Sequence, residues 1–143
     1  MSQINPNKVI TEKWFTPSDY SKVQQVGIDV TLKRPDSCKD NVLRLFPNSH
    51  YNIEINESVD LPINVYAELK IRSSWSRKGV FQSSGIYDPG FHGTCGMTLY
   101  NLSPEPVEIP INERIAQIVF YEADAASIYD GHYNHTNSSE SQY

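Results

Sequence analysis

Short apolar runs separated by turn-forming residues constrain the fold of this chain more than any other feature of its sequence. Nine prolines and seven glycines are spread along the 143 residues, between runs rich in β-branched and aromatic side chains. Several runs alternate apolar with polar residues, as strands with one buried face do. Strands are predicted over residues 26–32, 51–55, 65–71, 94–101, 107–109 and 115–121. Many short strands with frequent turns indicate an all-β sandwich, jelly roll or small barrel.

Composition narrows the class of protein further. The length suits one domain, and 38% hydrophobic with 20% charged residues is ordinary for a soluble globular chain. Neither a membrane-spanning run nor a secretory signal is expected, and Cys38 and Cys95 have no metal-binding spacing, so a cytoplasmic setting is predicted. A net charge of -5 supplies no basic surface for nucleic acid, although a few focused cations can still bind a small anion.

Two polar clusters interrupt the predicted strands. Asp29 lies inside the apolar run of residues 27–30, where a carboxylate is paired, faces a site, or lies on a solvent-exposed edge strand. Residues 72–79 carry three cations and three hydroxyls directly after a predicted strand. Arginine forks and hydroxyl donors suit phosphate oxygens, so this segment is either a polyphosphate-binding loop or a solvated basic turn.

A third polar segment, residues 83–93, combines three glycines with an Asp-Pro-Gly turn. Glycine permits close approach of a ligand to the main chain. Asp88 is either a turn residue or a general base, and Phe91 is either a hydrophobic anchor or a ring packed against a ligand. Gln117 interrupts the last predicted strand, and a buried amide there is a structural hub or a ligand contact.

In this order the four segments resemble the motifs of the dUTPase and dCTP deaminase superfamily. The resemblance extends over residues 23–133, with motifs at residues 27–30, 72–74, 85–91 and 114–117. Residues 75–79 are closer to the deaminase-like branch than to typical dUTPases. Four motifs in the right order, separated by strand-length gaps, carry the resemblance that no single motif would carry.

The resemblance implies a distorted jelly roll of the dUTPase-like type, assembled as a homotrimer with sites between subunits. It implies a nucleoside triphosphate as ligand, with Mg2+ bound to the phosphates. Residues 1–128 would form the β domain, and residues 129–143 would form a flexible C-terminal arm that closes over a site.

Thr98 bears on which of the two superfamily activities is expected. Deaminases carry a Glu that shuttles protons beside the cytosine, on the strand after the third motif, and Thr98 is the matching position here. Residues 93–101 resemble the dUTPase strand, in which a glycine stands at the position of Gly96. The resemblance therefore implies a dUTP diphosphatase, which forms dUMP and pyrophosphate.

The resemblance also implies roles for single residues. Asp88 is the expected catalytic base, Asp29 would hold a Mg2+-bound water or position Asp88, and Phe91 would pack under the deoxyribose. The other expected substrate contacts are the phosphate-binding residues Arg72, Ser73, Ser74, Arg77 and Gln117, the uracil-reading main chain of Ser83, Ser84, Gly85 and Ile86, and the tail residues Tyr129 and Tyr133.

The C-terminal segment departs from the dUTPase pattern. Most dUTPases end in a Gly-rich arm that begins with Arg, whereas residues 129–135 resemble the tyrosine-rich tail of the deaminase branch. Two alternatives stay open. One is a hydrolase for dCTP or a modified pyrimidine nucleotide, or a deaminase-family relative. The other is a catalytically weak trimer that binds the nucleotide as a signal.

Overall fold

The computed structural model describes residues 2–125 and 127–131, and β-strands dominate them as the sequence predicts. Within these residues the elements in chain order are α1 (Pro6–Thr11), β1 (Phe15–Thr16), β2 (Lys22–Val23), β3 (Ile28–Thr31), β4 (Val42–Leu45), β5 (His50–Asp60), β6 (Val65–Ile71), α2 (Ser73–Ser76), β7 (Val80–Ser83), β8 (His92–Asn101), β9 (Val107–Pro110) and β10 (Arg114–Glu122).

Two four-stranded sheets enclose one hydrophobic core. Their strand orders are β1-β5-β8-β7 and β2-β3-β10-β6, and β4 pairs with β9 in a separate two-stranded sheet. The long strands bury every second residue, as the alternating pattern predicts. Phe15 of the first sheet meets Phe120 of the second edge to face, with ring centroids 6.0 Å apart. Burial of such apolar side chains between the sheets is the main stabilising term.

The six predicted strands all appear, whereas the short strands β1, β2, β4 and β7 were not predicted. β5 continues past residue 55 to Asp60, through a register shift against β8 between Glu54 and Ser58. Both helices were missed, because a helix of one or two turns shows no usable periodicity. The helix α1 is instead set by its cap, in which Asn5 Oδ1 accepts from the N–H of Asn7 at 2.9 Å.

One row of side chains across the second sheet positions the candidate site. Lys22 pairs with Asp29, Asp29 with Gln117, and Gln117 with Lys70. Cross-strand partners share a face of the sheet, so these four polar side chains project together. β6 then ends, and the chain turns into α2.

The strand scaffold ends with β10, and residues 123–125 and 127–131 continue along its surface. Of the predicted arm, residues 129–131 belong to the described part, and the rest lies outside it. None of the helices in the described residues is long and apolar enough to cross a lipid bilayer.

Candidate functional site

A cleft of about 450 Å³ lies where β6 ends, beside β3 and β10. It brings together six of the residues predicted for phosphate or metal: Asp29, Arg72, Ser73, Ser74, Arg77 and Gln117. Gln24, Lys70 and Ile71 line it too. We call this cleft the cradle. Gln24 and Lys70 were not predicted as site residues. Lys70 could have been found from the alternation of β6, because it follows the buried Leu69 and so lies on the opposite face of the strand.

Asp29 is a buried carboxylate at the back of the cradle, so its placement on a solvent-exposed edge is excluded. The residue is 1% exposed. Its Oδ2 accepts from Gln24 Nε2 at 2.8 Å and from Arg114 Nη1 at 3.0 Å, and Arg72 Nε lies 3.9 Å away. Such partners offset the cost of burying the charge. Asp29 therefore holds two arginines at the cradle, one of which, Arg114, was not predicted as a site residue.

The cation-rich segment forms a helical turn that is anchored to β10. The N–H of Arg72 donates to the carbonyl of Ile115 at 3.0 Å. The indole Nε1 of the buried Trp75 donates to the carbonyl of Arg114 at 3.1 Å, and Lys78 Nζ lies 4.8 Å from the Trp75 ring. These contacts hold Arg72 and Ser73 in place, so the segment is more ordered than a free basic turn.

Gln117 is held at the cradle by a close backbone contact. A Cβ on Gly27 would lie 2.8 Å from both Cγ and Oε1 of Gln117, so only glycine fits there without a shift. Within the described residues the Gln117 amide makes no hydrogen bond, which leaves its donors and acceptor available to a ligand.

A second cleft, of about 710 Å³, contains Asp88. Tyr66, Ile86, Pro89 and Tyr129 contribute to its lining. Asp88 begins a tight turn in which the N–H of Phe91 donates to the Asp88 carbonyl at 3.0 Å, and Gly90 takes the positive φ of 90° that the turn requires. The exposed Asp88 carboxylate makes no ion pair or hydrogen bond within the described residues, so it is open to solvent and to a ligand.

Phe91 is enclosed by two tyrosines. It is 4% exposed, and its ring centroid lies 5.4 Å from those of both Tyr87 and Tyr129. The N–H of Tyr129 donates to the carbonyl of Pro89 at 2.7 Å, which holds the C-terminal segment over this turn. In this arrangement the Phe91 ring is not open to a sugar, and a sugar contact would require Tyr129 to move. Tyr133 lies outside the described residues.

Residues 83–86 border a third, smaller cleft of about 330 Å³, shared with Glu68, Lys70 and Gln82. Ser83 pairs in register with Thr98, and Thr98 pairs with Asn52. The Thr98 hydroxyl donates to Asn52 Oδ1 at 2.8 Å. The sheet face next to this loop therefore carries hydroxyl and amide groups in that row, and no carboxylate.

Tyr66 of the Asp88 cleft belongs to a stacked aromatic pair. Tyr66 and Tyr121 stack with ring centroids 5.1 Å apart. Burial raises the pKa of Tyr121, and the negative charge of Glu68 and the neighbouring Tyr66 raise it further. The Tyr121 hydroxyl therefore keeps its proton near neutral pH.

The cradle and Asp88 lie far apart in one chain. Arg72 lines the cradle and Tyr66 lines the Asp88 cleft, and six residue steps along the extended chain of β6 separate them. At about 3.3 Å per residue this is about 20 Å. A base and a phosphate cradle must meet within about 3 Å of the reacting atoms. One chain alone does not bring these two sets of predicted residues together.

The described residues contain no group of three or more His, Cys, Asp or Glu side chains that could hold a metal ion. Asp29 is the carboxylate of the cradle, and its Oδ2 is already paired with Gln24 and Arg114. The cradle therefore fits Mg2+ only when the phosphate groups of a bound nucleotide supply most of the oxygen atoms that coordinate the ion.

Comparison with known proteins agrees with this architecture. Residues 34–123 match the family described as dCTP deaminase-like, which is part of the dUTPase and dCTP deaminase superfamily. The chain belongs to that family. The resemblance inferred from its four motifs is confirmed.

A curated relative and two solved structures illustrate the match. The dCTP deaminase of Pyrococcus horikoshii is 34% identical over 136 residues, which cover 88% of this chain and 87% of the relative. The native dUTPase of EIAV superposes with a TM-score of 0.65 at 15% identity, over 82% of this chain and 93% of that chain. The dCTP deaminase from Agrobacterium tumefaciens gives 0.64 at 16% identity, over 80% and 45%. The predicted fold, a distorted jelly roll of the dUTPase-like type, is confirmed.

Proposed function

We propose that this protein is a dUTP diphosphatase that converts dUTP to dUMP and pyrophosphate. The observation that carries the proposal is the side chain of Thr98. By residue count from the third motif, Thr98 matches the position of the deaminase carboxylate, and its hydroxyl donates to Asn52 Oδ1 at 2.8 Å. A threonine hydroxyl does not ionise near neutral pH, so it cannot shuttle the protons that deamination at C4 requires.

The cradle supplies the chemistry for a triphosphate. Arg72 and Arg77 offer planar donor forks, Ser73 and Ser74 offer hydroxyl donors, and Gln117 offers an unpaired amide. Magnesium bound to the phosphates would neutralise part of their charge, with Asp29 as the nearby acid. Catalysis of this kind depends mainly on positioning and on charge stabilisation.

Asp88 serves as the base that takes a proton from the attacking water. Its carboxylate is exposed, lacks a partner within the described residues, and borders a cleft large enough for a nucleoside. General-base catalysis of this type contributes about 10²- to 10⁴-fold to the rate.

The site forms between chains of a homotrimer. Asp88 of one chain meets the cradle of a neighbour, because about 20 Å of strand separates them within a single chain.

The experiment is to incubate the protein with dUTP and Mg2+ and to measure pyrophosphate, with dCTP and dTTP in parallel. Pyrophosphate released from dUTP, without ammonia from dCTP, is the expected result. Absence of pyrophosphate overturns the proposal, and binding of dUTP without turnover would favour a regulatory trimer.

The name of the Pyrococcus horikoshii relative favours a second candidate, dCTP deamination. Glu54 lies opposite Gly96 on the same sheet face as Thr98, and its buried Oε2 has no hydrogen-bond partner. Ammonia released from dCTP, and lost in Glu54→Gln, would establish this second activity and replace the first proposal.

A further inference from the structure

Gln82 joins the edges of the two main sheets at the base of the loop formed by residues 83–86, which we call the recognition loop. β7 is an edge strand of the first sheet and β6 is an edge strand of the second. The Gln82 side chain leaves β7 and reaches across to β6. It donates from Nε2 to the carbonyl of Leu69 at 3.2 Å and accepts at Oε1 from the N–H of Ile71 at 3.4 Å.

The side-chain amide therefore takes the place of a neighbouring strand. A primary amide carries the same donor and acceptor as a peptide group, and the free edge of β6 presents one of each to it. The partners also determine the orientation of the amide, since the carbonyl of Leu69 only accepts and the N–H of Ile71 only donates. Gln82 Nε2 has a third contact, to Ser84 Oγ at 2.9 Å.

A second anchor lies at the other end of the recognition loop. Tyr87 and Ala67 exchange two backbone hydrogen bonds of 3.0 Å on the same edge of β6. Five residue steps separate Gln82 from Tyr87, whereas two to four steps of β6 separate their attachment points. The chain between the anchors is longer than the edge it spans, so residues 84–86 bulge away from the edge of β6.

The bulge leaves the loop backbone available to a ligand. Within the described residues, the N–H and C=O groups of residues 84–86 form no backbone–backbone hydrogen bond. Ile86 is 56% exposed, and a Cβ on Gly85 would meet nothing within 4 Å. Free backbone donors and acceptors held at fixed spacing can distinguish the edges of two bases. Uracil presents an N–H between two carbonyls, and cytosine presents an amino group and an unprotonated nitrogen.

We propose that Gln82 is a positioning residue which, through Leu69, Ile71 and Ser84, sets the shape of the recognition loop and thereby the discrimination between uracil and cytosine. This rests on the proposed function in that the ligand is a pyrimidine deoxynucleotide. It assigns base selectivity to a side chain that needs no contact with the base. The same amide links the loop to the end of β6, one residue before Arg72 of the cradle.

The test measures binding rather than turnover, so it stands apart from the test of hydrolysis. Equilibrium affinities are compared for α,β-imido analogues of dUTP and dCTP and for inorganic tripolyphosphate. Gln82→Leu removes all three hydrogen bonds, Ser84→Ala removes one acceptor, and Gln25→Leu is the control because Gln25 is an exposed glutamine outside the clefts.

Gln82→Leu is expected to reduce the dUTP to dCTP affinity ratio by about tenfold or more, and Ser84→Ala by about threefold, the range that one to three hydrogen bonds provide. Tripolyphosphate affinity is expected to stay within about twofold. The double variant should lose little more than Gln82→Leu, because Ser84 acts through Gln82.

Three results overturn the inference: an unchanged ratio in folded Gln82→Leu, an equal loss of nucleotide and tripolyphosphate affinity, or a wild-type protein that does not distinguish the two bases. Should Gln82→Leu fail to fold, Ser84→Ala decides alone, and an unchanged ratio in that variant overturns it. A wild-type protein that binds dUTP selectively without hydrolysing it defeats the proposed function and leaves this inference standing.

Discussion

Asp29 and Arg114 form a charge-assisted contact at the back of the cradle, with Oδ2 and Nη1 3.0 Å apart. The carboxylate is buried, whereas about a third of the arginine side chain is exposed. The acid is a residue of β3 and the cation is the first residue of β10, 85 positions later in the chain. This pair therefore couples the packing of the second sheet to the position of the candidate phosphate-binding cations.

Replacing Asp29 by Asn should destabilise the protein. The amide keeps a hydrogen-bond acceptor for Gln24 but leaves Arg114 and Arg72 without a counter-charge. Loss of hydrogen bonds to a charged group costs about 1.5–3 kcal/mol. Urea unfolding measures this change, with exposed Asp19→Asn as the control. Equal stability of the two variants would contradict a structural role for the contact.

Asp88→Asn should keep the fold and the nucleotide affinity but lose about 10²- to 10⁴-fold in the rate of pyrophosphate release. A neutral amide cannot accept the proton of the attacking water. The Asp88 carbonyl, which accepts from Phe91, is unaffected by the substitution, so the turn should persist. Pyrophosphate release and binding of the imido analogue are measured on the same samples. A rate near that of the wild type would show that Asp88 is only a turn residue.

Mixing two inactive variants tests whether the site lies between chains. Asp88→Asn keeps its cradle, and Arg72→Ala keeps its base. If the proposed homotrimer forms, refolding the two chains together in equal amounts should restore about a quarter of the wild-type activity, because random assembly pairs intact Asp88 with intact Arg72 at that frequency. Each variant refolded alone is the control. No recovery in trimers shown by native mass spectrometry to be mixed would place both residues in one chain's site.

Cys95 should make the stability fall at alkaline pH. Burial is the largest influence on the Cys95 thiol, and it raises the pKa of that thiol above its ordinary value of 9.0. The folded protein therefore keeps the thiol proton at a pH at which a free thiol would lose it. The unfolded chain loses that proton above about pH 9, which stabilises the unfolded state. The stability that Cys95 provides as a neutral thiol is therefore complete below about pH 9 and is lost as the pH rises. Between pH 8 and 10 the free energy of unfolding should fall by about 1 kcal/mol more in the wild type than in Cys95→Ala.

Alkylation tests the burial of the Cys95 thiol independently. Iodoacetamide should modify the half-buried Cys38 in the folded protein and reach Cys95 only after unfolding. Peptide mapping before and after urea treatment distinguishes the two thiols. Rapid labelling of Cys95 in the folded protein would contradict its burial.

The sequence alone determined six of the ten strands of the described residues and the four motifs, because alternation, turn residues and motif order are local properties of the chain. Residues 65–71, for instance, were predicted as a strand and form β6 with the same bounds. The resemblance also assigned Arg72 and Gln117 to the same phosphate-binding site, and both residues line the cradle. Counting residues along the predicted strand after the third motif also identified Thr98 as the position that matches the deaminase Glu.

The tertiary structure decided which side chains meet across the fold. Arg114 and Gln24 reach Asp29, Gln82 bridges two sheet edges, and Tyr129 covers Phe91, none of which has a local sequence pattern. Such contacts join residues up to 85 positions apart. They depend on strand register and on how the two sheets pack, which hydrophobic burial and backbone pairing settle only when the whole chain folds.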